Sequence, residues 1–219
     1  MATTAPISKT DHDRLRLDEL AALCETLGDM SEQQWDADSL CEGWRVRDVV
    51  GHMLVGYTTP MPTMIAKVAR YGFNVPKASA IESRAFGSSH SPDELLAALQ
   101  TVQRENVRKG ISRVIPPDEG MVDHVIHHLD ITRPLGLPTH TSDTNRRAAL
   151  ARAVNLGGMV KARGRAKGLR VVATDLDWSW GEGPEVRGTA DDLLLALSGR
   201  PSALTELTGD GLAVLATRC

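Results

Sequence analysis

The stretch Asp123-His124-Val125-Ile126-His127-His128-Leu129-Asp130 decides how the rest of the chain is read. Seven histidines serve 219 residues, and three of them crowd into positions 124–128. Taken as a helix, the run sets Asp123 with His127 and His124 with His128. Side chains four apart share a face one turn from each other. A helix presents two ligands to one metal ion in this way, and a third has to come from elsewhere. His52 is the best candidate. At ~100° per residue, Met121, Val122, Val125, Ile126 and Leu129 form an apolar stripe, with His128 closest to its edge. That pattern leans toward His124/His128 as the inward rung and leaves the choice open.

Working outward, helical spacing runs from about Asp11 to Leu27, through Leu15, Leu20, Leu23 and Leu27, and Gly28 closes it. Residues 1–10 read as a mobile tail. A short capped turn follows at Ser31–Trp35, then a helix from about Val46 with Asp48 in its first turn and His52 beside the stripe Val49, Val50, Met53, Leu54. Pro60 and Pro62 interrupt it before Met64, Ile65 and Val68 resume the pattern, as one kinked helix or two. Phe73–Ser91, rich in Gly, Ser and Ala, reads as a partly helical connection. Ser91-Pro92-Asp93-Glu94 is an N-cap, a first-turn proline and two acids, and starts a helix to about Arg108. The histidine helix runs from about Asp118 to Thr132, and another from Ser142 to about Ala166 with Leu150, Val154, Leu156 and Met159 inside. Past a soft boundary the character changes. Strands are expected at Leu169–Thr174, extended by Asp177–Trp180, at Glu185–Gly188 and at Leu212–Leu215, with a helix from Ala190 to Ser198. The chain thus divides into residues 1–165, all helical, and residues 166–219, a small α+β piece.

Composition bounds the function. Net charge is −3 and aromatics make up 4% of residues, so no basic field suits nucleic acid. Cys24, Cys41 and Cys219 are odd in number and widely spaced, which argues against a disulfide framework and for a reducing cytoplasm. Residues 1–13 lack the apolar core of a signal peptide, and no apolar run approaches the ~20 residues of a membrane helix. HExxH, GxSxG, P-loop and GxGxxG patterns are all absent. The Lys161-Arg163-Arg165-Lys167-Arg170 cluster reads as a solvated helix end and linker.

Cys41-Glu42-Gly43-Trp44-Arg45-Val46-Arg47-Asp48-Val49-Val50-Gly51-His52 resembles the GW(T/S)VRDVxxH signature of the maleylpyruvate isomerase-like family of mycothiol-dependent enzymes, in the DinB-like superfamily. Asp123-xxx-His127-xx-Asp130-Ile131, continued by Arg133-Pro134-Leu135-Gly136, is similar to that family's second signature. Ala190 to Arg200 resembles its closing A-x-D-L-L-x-x-L-x-G-R segment. The resemblance implies a mainly α fold: an N-terminal DinB-like four-helix bundle followed by a small α+β C-terminal domain. It also implies a divalent metal, usually zinc, held by His52, Asp123 and His127. Family members commonly carry Glu at the acid position. Asp123 is one methylene shorter, so His124 or His128 is the reserve ligand.

The cosubstrate implied is mycothiol, the small-molecule thiol of actinobacteria. A metal with an open position binds a thiol and deprotonates it. The thiolate then attacks a small electrophile, ending in S-transfer or, after addition and elimination, in a cis–trans isomer. Asp48 and Asp130, near His52 and His127, are candidates to orient an imidazole. For each, a capping or salt-bridge role is the alternative. Arg200 resembles a family position near the active site and is a candidate to hold an anionic substrate, or else to close a helix C-terminus. The rival functions are a non-catalytic bundle with a structural metal or small ligand, and a metal-dependent hydrolase with Asp48 or Asp130 as base. Neither nucleic acid nor membrane is expected as a partner, and oligomeric state is left open.

Overall fold

The computed structural model describes residues 9–157 and 160–219. Its helices are α1 (Lys9–Gly28), α2 (Glu32–Trp35), α3 (Val46–Thr58), α4 (Met61–Arg70), α5 (Val75–Ser89), α6 (Pro92–Glu105), α7 (Pro117–Thr132), α8 (Asp143–Ala153) and α9 (Ala162–Ala166). After them come β1 (Arg170–Ala173), β2 (Ser179–Trp180), β3 (Glu185–Gly188), α10 (Ala190–Leu197) and α11 (Leu212–Ala216). The mainly α class and the small sheet agree with expectation. Residues 1–8, and with them most of the expected tail, lie outside the described residues, as does Met159.

Capping chemistry sets several helix starts. Ser31 and Gln34 form a reciprocal capping box at α2, and Ser91 and Glu94 form another at α6, where Pro92 opens the helix. Asp48 reaches back to the Arg45 amide at the start of α3. The apolar faces then collect into two cores. One joins Leu20, Leu23 and Leu27 of α1 to Val49, Val50 and Leu54 of α3 and to Leu95, Leu99 and Val102 of α6, over the fully buried Trp35. Another joins Val122, Val125 and Leu129 of α7 to α8, to the sheet and to Leu193–Leu197 of α10. Helix α7 runs between them, with every residue from His124 to Thr132 buried. A helix buried on all sides is a core helix, and here that core is rich in imidazole.

The strands lie in the order β2-β1-β3. β1 pairs antiparallel with β2 through Val171 and Trp180, and parallel with β3 through Val171 and Val186. Among the described residues no helix is long and apolar enough to cross a membrane.

Two local expectations are corrected and two are refined. Phe73–Ser91, expected as a partly helical connection, is chiefly the fifteen-residue α5, started by an Asn74 cap. Its glycine and serines serve close packing. A Cβ at Gly51 of α3 would stand 2.6 Å from the Ser83 carbonyl oxygen, and one at Gly87 of α5 would stand 2.6 Å from the Arg47 carbonyl oxygen. The two backbones touch where side chains are missing. The helix expected over residues 142–166 is two helices, because the chain turns after Ala153 and Lys161 adopts φ 55°. Leu212–Leu215 is helical rather than a strand, with the Leu215 amide bonded to the Gly211 carbonyl. A four-residue apolar run does not by itself separate helix from strand. Finally, of the two readings across Pro60 and Pro62, one kinked helix or two, the chain forms two: the second is α4, which buries none of its residues. Lys67 and Tyr71 tie it to Glu82 of α5.

Gly87→Val tests the crossing. Forcing α5 off α3 is expected to cost about 1–3 kcal/mol, measured by urea unfolding, whereas Gly43→Ala, with no atom near its Cβ position, is expected to strain only its own backbone.

Candidate metal centre

Helix α7 presents its histidines to different neighbours. His128 is fully buried against α1: its Nδ1 lies 2.8 Å from Glu19 Oε1 and its Nε2 2.8 Å from Thr26 Oγ1. Thr141 donates to the same Glu19 oxygen and Asn145 to the other, so this network locks α1, α7 and α8 together. His124 Nε2 lies 2.9 Å from the Tyr57 hydroxyl, which accepts from the buried Arg16. Burial pushes His124 down to about 4, with the Arg16 cation adding to the effect against Asp123. Both nitrogens of His128 and Nε2 of His124 are engaged by these neighbours, while His124 Nδ1 is buried without a hydrogen-bond partner. The inward-facing rung is therefore the structural one.

The other rung opens toward α3. His52, Asp123 and His127 each offer a ligand atom, all within 4.8 Å of one another. Asp123 Oδ1 stands 3.5 Å from His127 Nε2, and the rings of His52 and His127 meet edge to face at 5.2 Å between centroids. Both imidazoles are held from behind. His127 Nδ1 is 3.0 Å from Asp130 Oδ2. His52 Nδ1 is 3.2 Å from Ser79 Oγ and 3.4 Å from Ser83 Oγ, both on α5. Trp44 packs its ring 5.4 Å from that of His52. With each Nδ1 occupied, the Nε2 atoms are left for a common partner. Donors around a tetrahedral zinc, bonded at 2.0–2.2 Å, lie about 3.4 Å apart. The spacing here and the mixed nitrogen–oxygen donor set fit such an ion, and the shorter Asp123 side chain still brings Oδ1 within 3.5 Å of His127 Nε2. Asp123 is also 49% exposed, so the centre faces solvent on its side.

Charges reinforce the fit. Burial, and then the neighbouring His127, push His52 down to about 4, against the pull of Asp123 and Asp130; at neutral pH its ring is uncharged, the form in which an imidazole can ligate a metal. Burial works against charge on His127, yet Asp123 and the Asp130 hydrogen bond hold it well above the usual imidazole range. Asp130, though fully buried, is held at about 2 by hydrogen bonds from His127 and Arg200. Asp123 and Asp130 thus face two cations, the Arg200 guanidinium and a readily protonated His127, and a metal ion at Nε2 would take the place of the His127 proton.

Arg200 grips Asp130 through Nε at 2.8 Å and Nη2 at 2.5 Å, and donates from Nη1 to the Ser198 carbonyl. It is thus pinned beside the centre and at the same time closes the C-terminus of α10 through the Ser198 carbonyl. Cys41 joins the same cluster, with Sγ 3.1 Å from Asp130 Oδ2 and 3.9 Å from His127 Nδ1. A cavity of roughly 460 Å³ opens there between Leu40–Glu42 and Gly199–Ser202. Asp48 stands apart. Both its oxygens are taken by Arg45, the capping and ion-pair arrangement that was the alternative expectation for it. Ser79, Ser83 and Cys41 are the residues around the centre that sequence reasoning missed. Only the spacing of Ser79, Ser83 and Gly87, every fourth residue, hinted that they share a face.

Residues 16–113 match the family model described as the mycothiol maleylpyruvate isomerase N-terminal domain. Among proteins of curated function, none matches. Two solved structures of mycothiol-dependent maleylpyruvate isomerase, one of them a histidine-to-alanine mutant, are similar in fold. They share 17% and 16% identity with this chain, cover 96% of it and 96% of their own chains, and superpose with a TM-score of 0.60.

The Glu19 network predicts acid sensitivity apart from the metal centre. Burial opposes the Glu19 charge, but His128, Asn145 and Thr141 keep it below the usual carboxylate value. A depressed carboxylate stabilises the fold fully above its unfolded value of about 4.5 and loses that contribution as pH falls through its native value. Glu19→Gln is expected to lower stability at pH 7 by about 1–3 kcal/mol and to flatten the dependence between pH 5 and pH 3 (roughly the range of carboxylate titration), read from thermal unfolding at each pH.

Proposed function

We propose that this chain, which belongs to the maleylpyruvate isomerase-like family of mycothiol-dependent enzymes, activates mycothiol to isomerise a small unsaturated acid from cis to trans. The observation that carries this reading is the trio of donor atoms from His52, Asp123 and His127, drawn from two helices and held within 4.8 Å. A divalent ion such as zinc, when bound there, supplies a Lewis acid that favours the thiolate over the thiol.

The protein's own groups do the rest. Asp130 takes the Nδ1 proton of His127 in a hydrogen bond, which fixes the tautomer and turns Nε2 inward. Arg200, oriented by Asp130 and the Ser198 carbonyl, keeps a cation at the cavity shared with Cys41. A carboxylate of the substrate is attracted to that end. The thiolate sulfur adds to one carbon of a conjugated double bond, and the π pair moves onto the carbonyl oxygen. Rotation about the new single bond follows. The oxygen returns its pair, the carbon–sulfur bond breaks, and the thiolate leaves the trans isomer behind. Where the substrate carries a leaving group instead, the same sulfur attack ends as S-transfer. Asp130 remains ionised throughout, because protonating it would release both His127 and Arg200.

The test uses purified protein loaded with zinc, mycothiol and maleylpyruvate, followed by absorbance. Turnover is expected to require both metal and thiol, and His52→Ala is expected to lower it more than about 100-fold, beyond the 10–100-fold typical of groups behind a ligand. Stoichiometric metal with every coordination position filled by protein, and no thiol-dependent turnover, would favour a non-catalytic bundle instead. Arg200→Lys is expected to raise KM for an anionic substrate more than for a neutral electrophile, since a lysine cannot keep the two-pronged grip on Asp130.

A further inference from the structure

Helix α5 does more than cover α3. We infer that Ser79 and Ser83 are positioning residues that set the tautomer of His52, accepting its Nδ1 proton so that Nε2 carries the lone pair toward Asp123 and His127. The inference rests on the metal-centre reading above, and it extends the site to a helix outside the set that would hold the ion.

Three observations meet here. The two hydroxyls stand 3.2 and 3.4 Å from His52 Nδ1, one helical turn apart on the same face of α5. Ser83 is fully buried, so its hydroxyl has no water to serve and the imidazole is its recorded partner. The approach that brings them together exists because Gly51, the neighbour of His52, and Gly87, four residues after Ser83, both lack a side chain at the crossing. Ser79, Ser83 and Gly87 form one stripe against α3: two positions donate chemistry and the third donates proximity.

The chemistry follows from imidazole. A neutral ring carries one proton, and the hydrogen bond made by one nitrogen decides which nitrogen keeps it. Trp44 lines the ring's other side and offers no carboxylate to do this. At His127 a carboxylate, Asp130, performs the task. At His52 neutral hydroxyls perform it, which adds no further negative charge beside Asp123. One ligand is thereby backed by an anion and the other by neutral acceptors.

The test reads tautomer and metal affinity rather than turnover. Metal-free protein is examined by long-range proton–nitrogen-15 correlation of the histidine rings, and Co²⁺ affinity is measured by competition with a chelator. Native protein is expected to show His52 as the Nδ1–H tautomer. Ser79→Ala with Ser83→Ala is expected to move it toward Nε2–H and to weaken Co²⁺ binding about 10–100-fold. Ser79→Thr, which restores a hydroxyl, should recover most of the loss. Ser79 is half-exposed, so Ser79→Ala alone serves if the double variant unfolds, with the same direction and a smaller effect. A folded double variant that keeps the Nδ1–H tautomer, or binds Co²⁺ within about twofold of the native protein (about 0.4 kcal/mol), overturns the inference. If the native protein binds no Co²⁺, the metal reading fails, while the tautomer measurement still decides the role of the serines.

Discussion

A single buried carboxylate, that of Asp130, ties the parts of this molecule together. Its side chain receives His127 from its own helix, Arg200 from beyond α10, and Cys41 from the connector before α3. Its main-chain carbonyl accepts the Leu40 amide. An ion buried this deeply is tolerated because both its oxygens accept hydrogen bonds and a guanidinium supplies the opposite charge. Removing Arg200 would strand the carboxylate; removing Asp130 would strand the guanidinium and free an imidazole to rotate. Chemistry and assembly therefore depend on the same few bonds, and the C-terminal segment is part of the centre through Arg200.

The centre's two imidazoles are anchored in different ways. His127 rides on a helix buried along nearly its whole last three turns, so its backbone is fixed by the packing of both cores. His52 rides on α3, whose inner face packs on α1 and α6 and whose other side is pressed by α5 through a glycine crossing. The apolar stripes fix where the helices run. The polar bonds from Asp130, Ser79 and Ser83 fix how each ring is turned. A centre needing precision of fractions of an ångström gains from this division, since packing alone leaves a ring free to flip about its axis.

Much of this was legible in the chain. The apolar periodicities located α1, α3, α6 and α7, and the starts of α3 and α6 were marked by Asp48 and Ser91, whose side chains satisfy free amides there. The rung Asp123/His127 was less legible. Periodicity pointed to His124/His128, and those side chains are indeed the more buried, yet Glu19, Thr26 and Tyr57 consume them. Burial in sequence patterns reports packing, and a site that admits ligands sits at the edge of it. Helix α5 was only partly legible for a related reason: its inward face is made of Ser79, Ser83 and Gly87, which carry no hydrophobic signal. The strand expected at Leu212–Leu215 failed because four apolar residues have no period to measure. Arg200 and Cys41 lie 159 residues apart, and only the folded chain brings them together.

Helix α4 carries no buried residue and leaves Ile65 exposed, with Phe73 exposed just beyond its end, while Glu82 alone provides its polar tether to α5. Such a segment can be lengthened, shortened or rewritten at little cost to the cores, in the way surface connections generally can. The neighbouring α5 has no comparable freedom along its inward stripe. Within some thirty residues, between the prolines after α3 and the cap of α6, the chain thus sets a freely evolvable outer helix directly beside one whose composition is pinned. New surface character can be acquired there without touching the groups that aim the histidines.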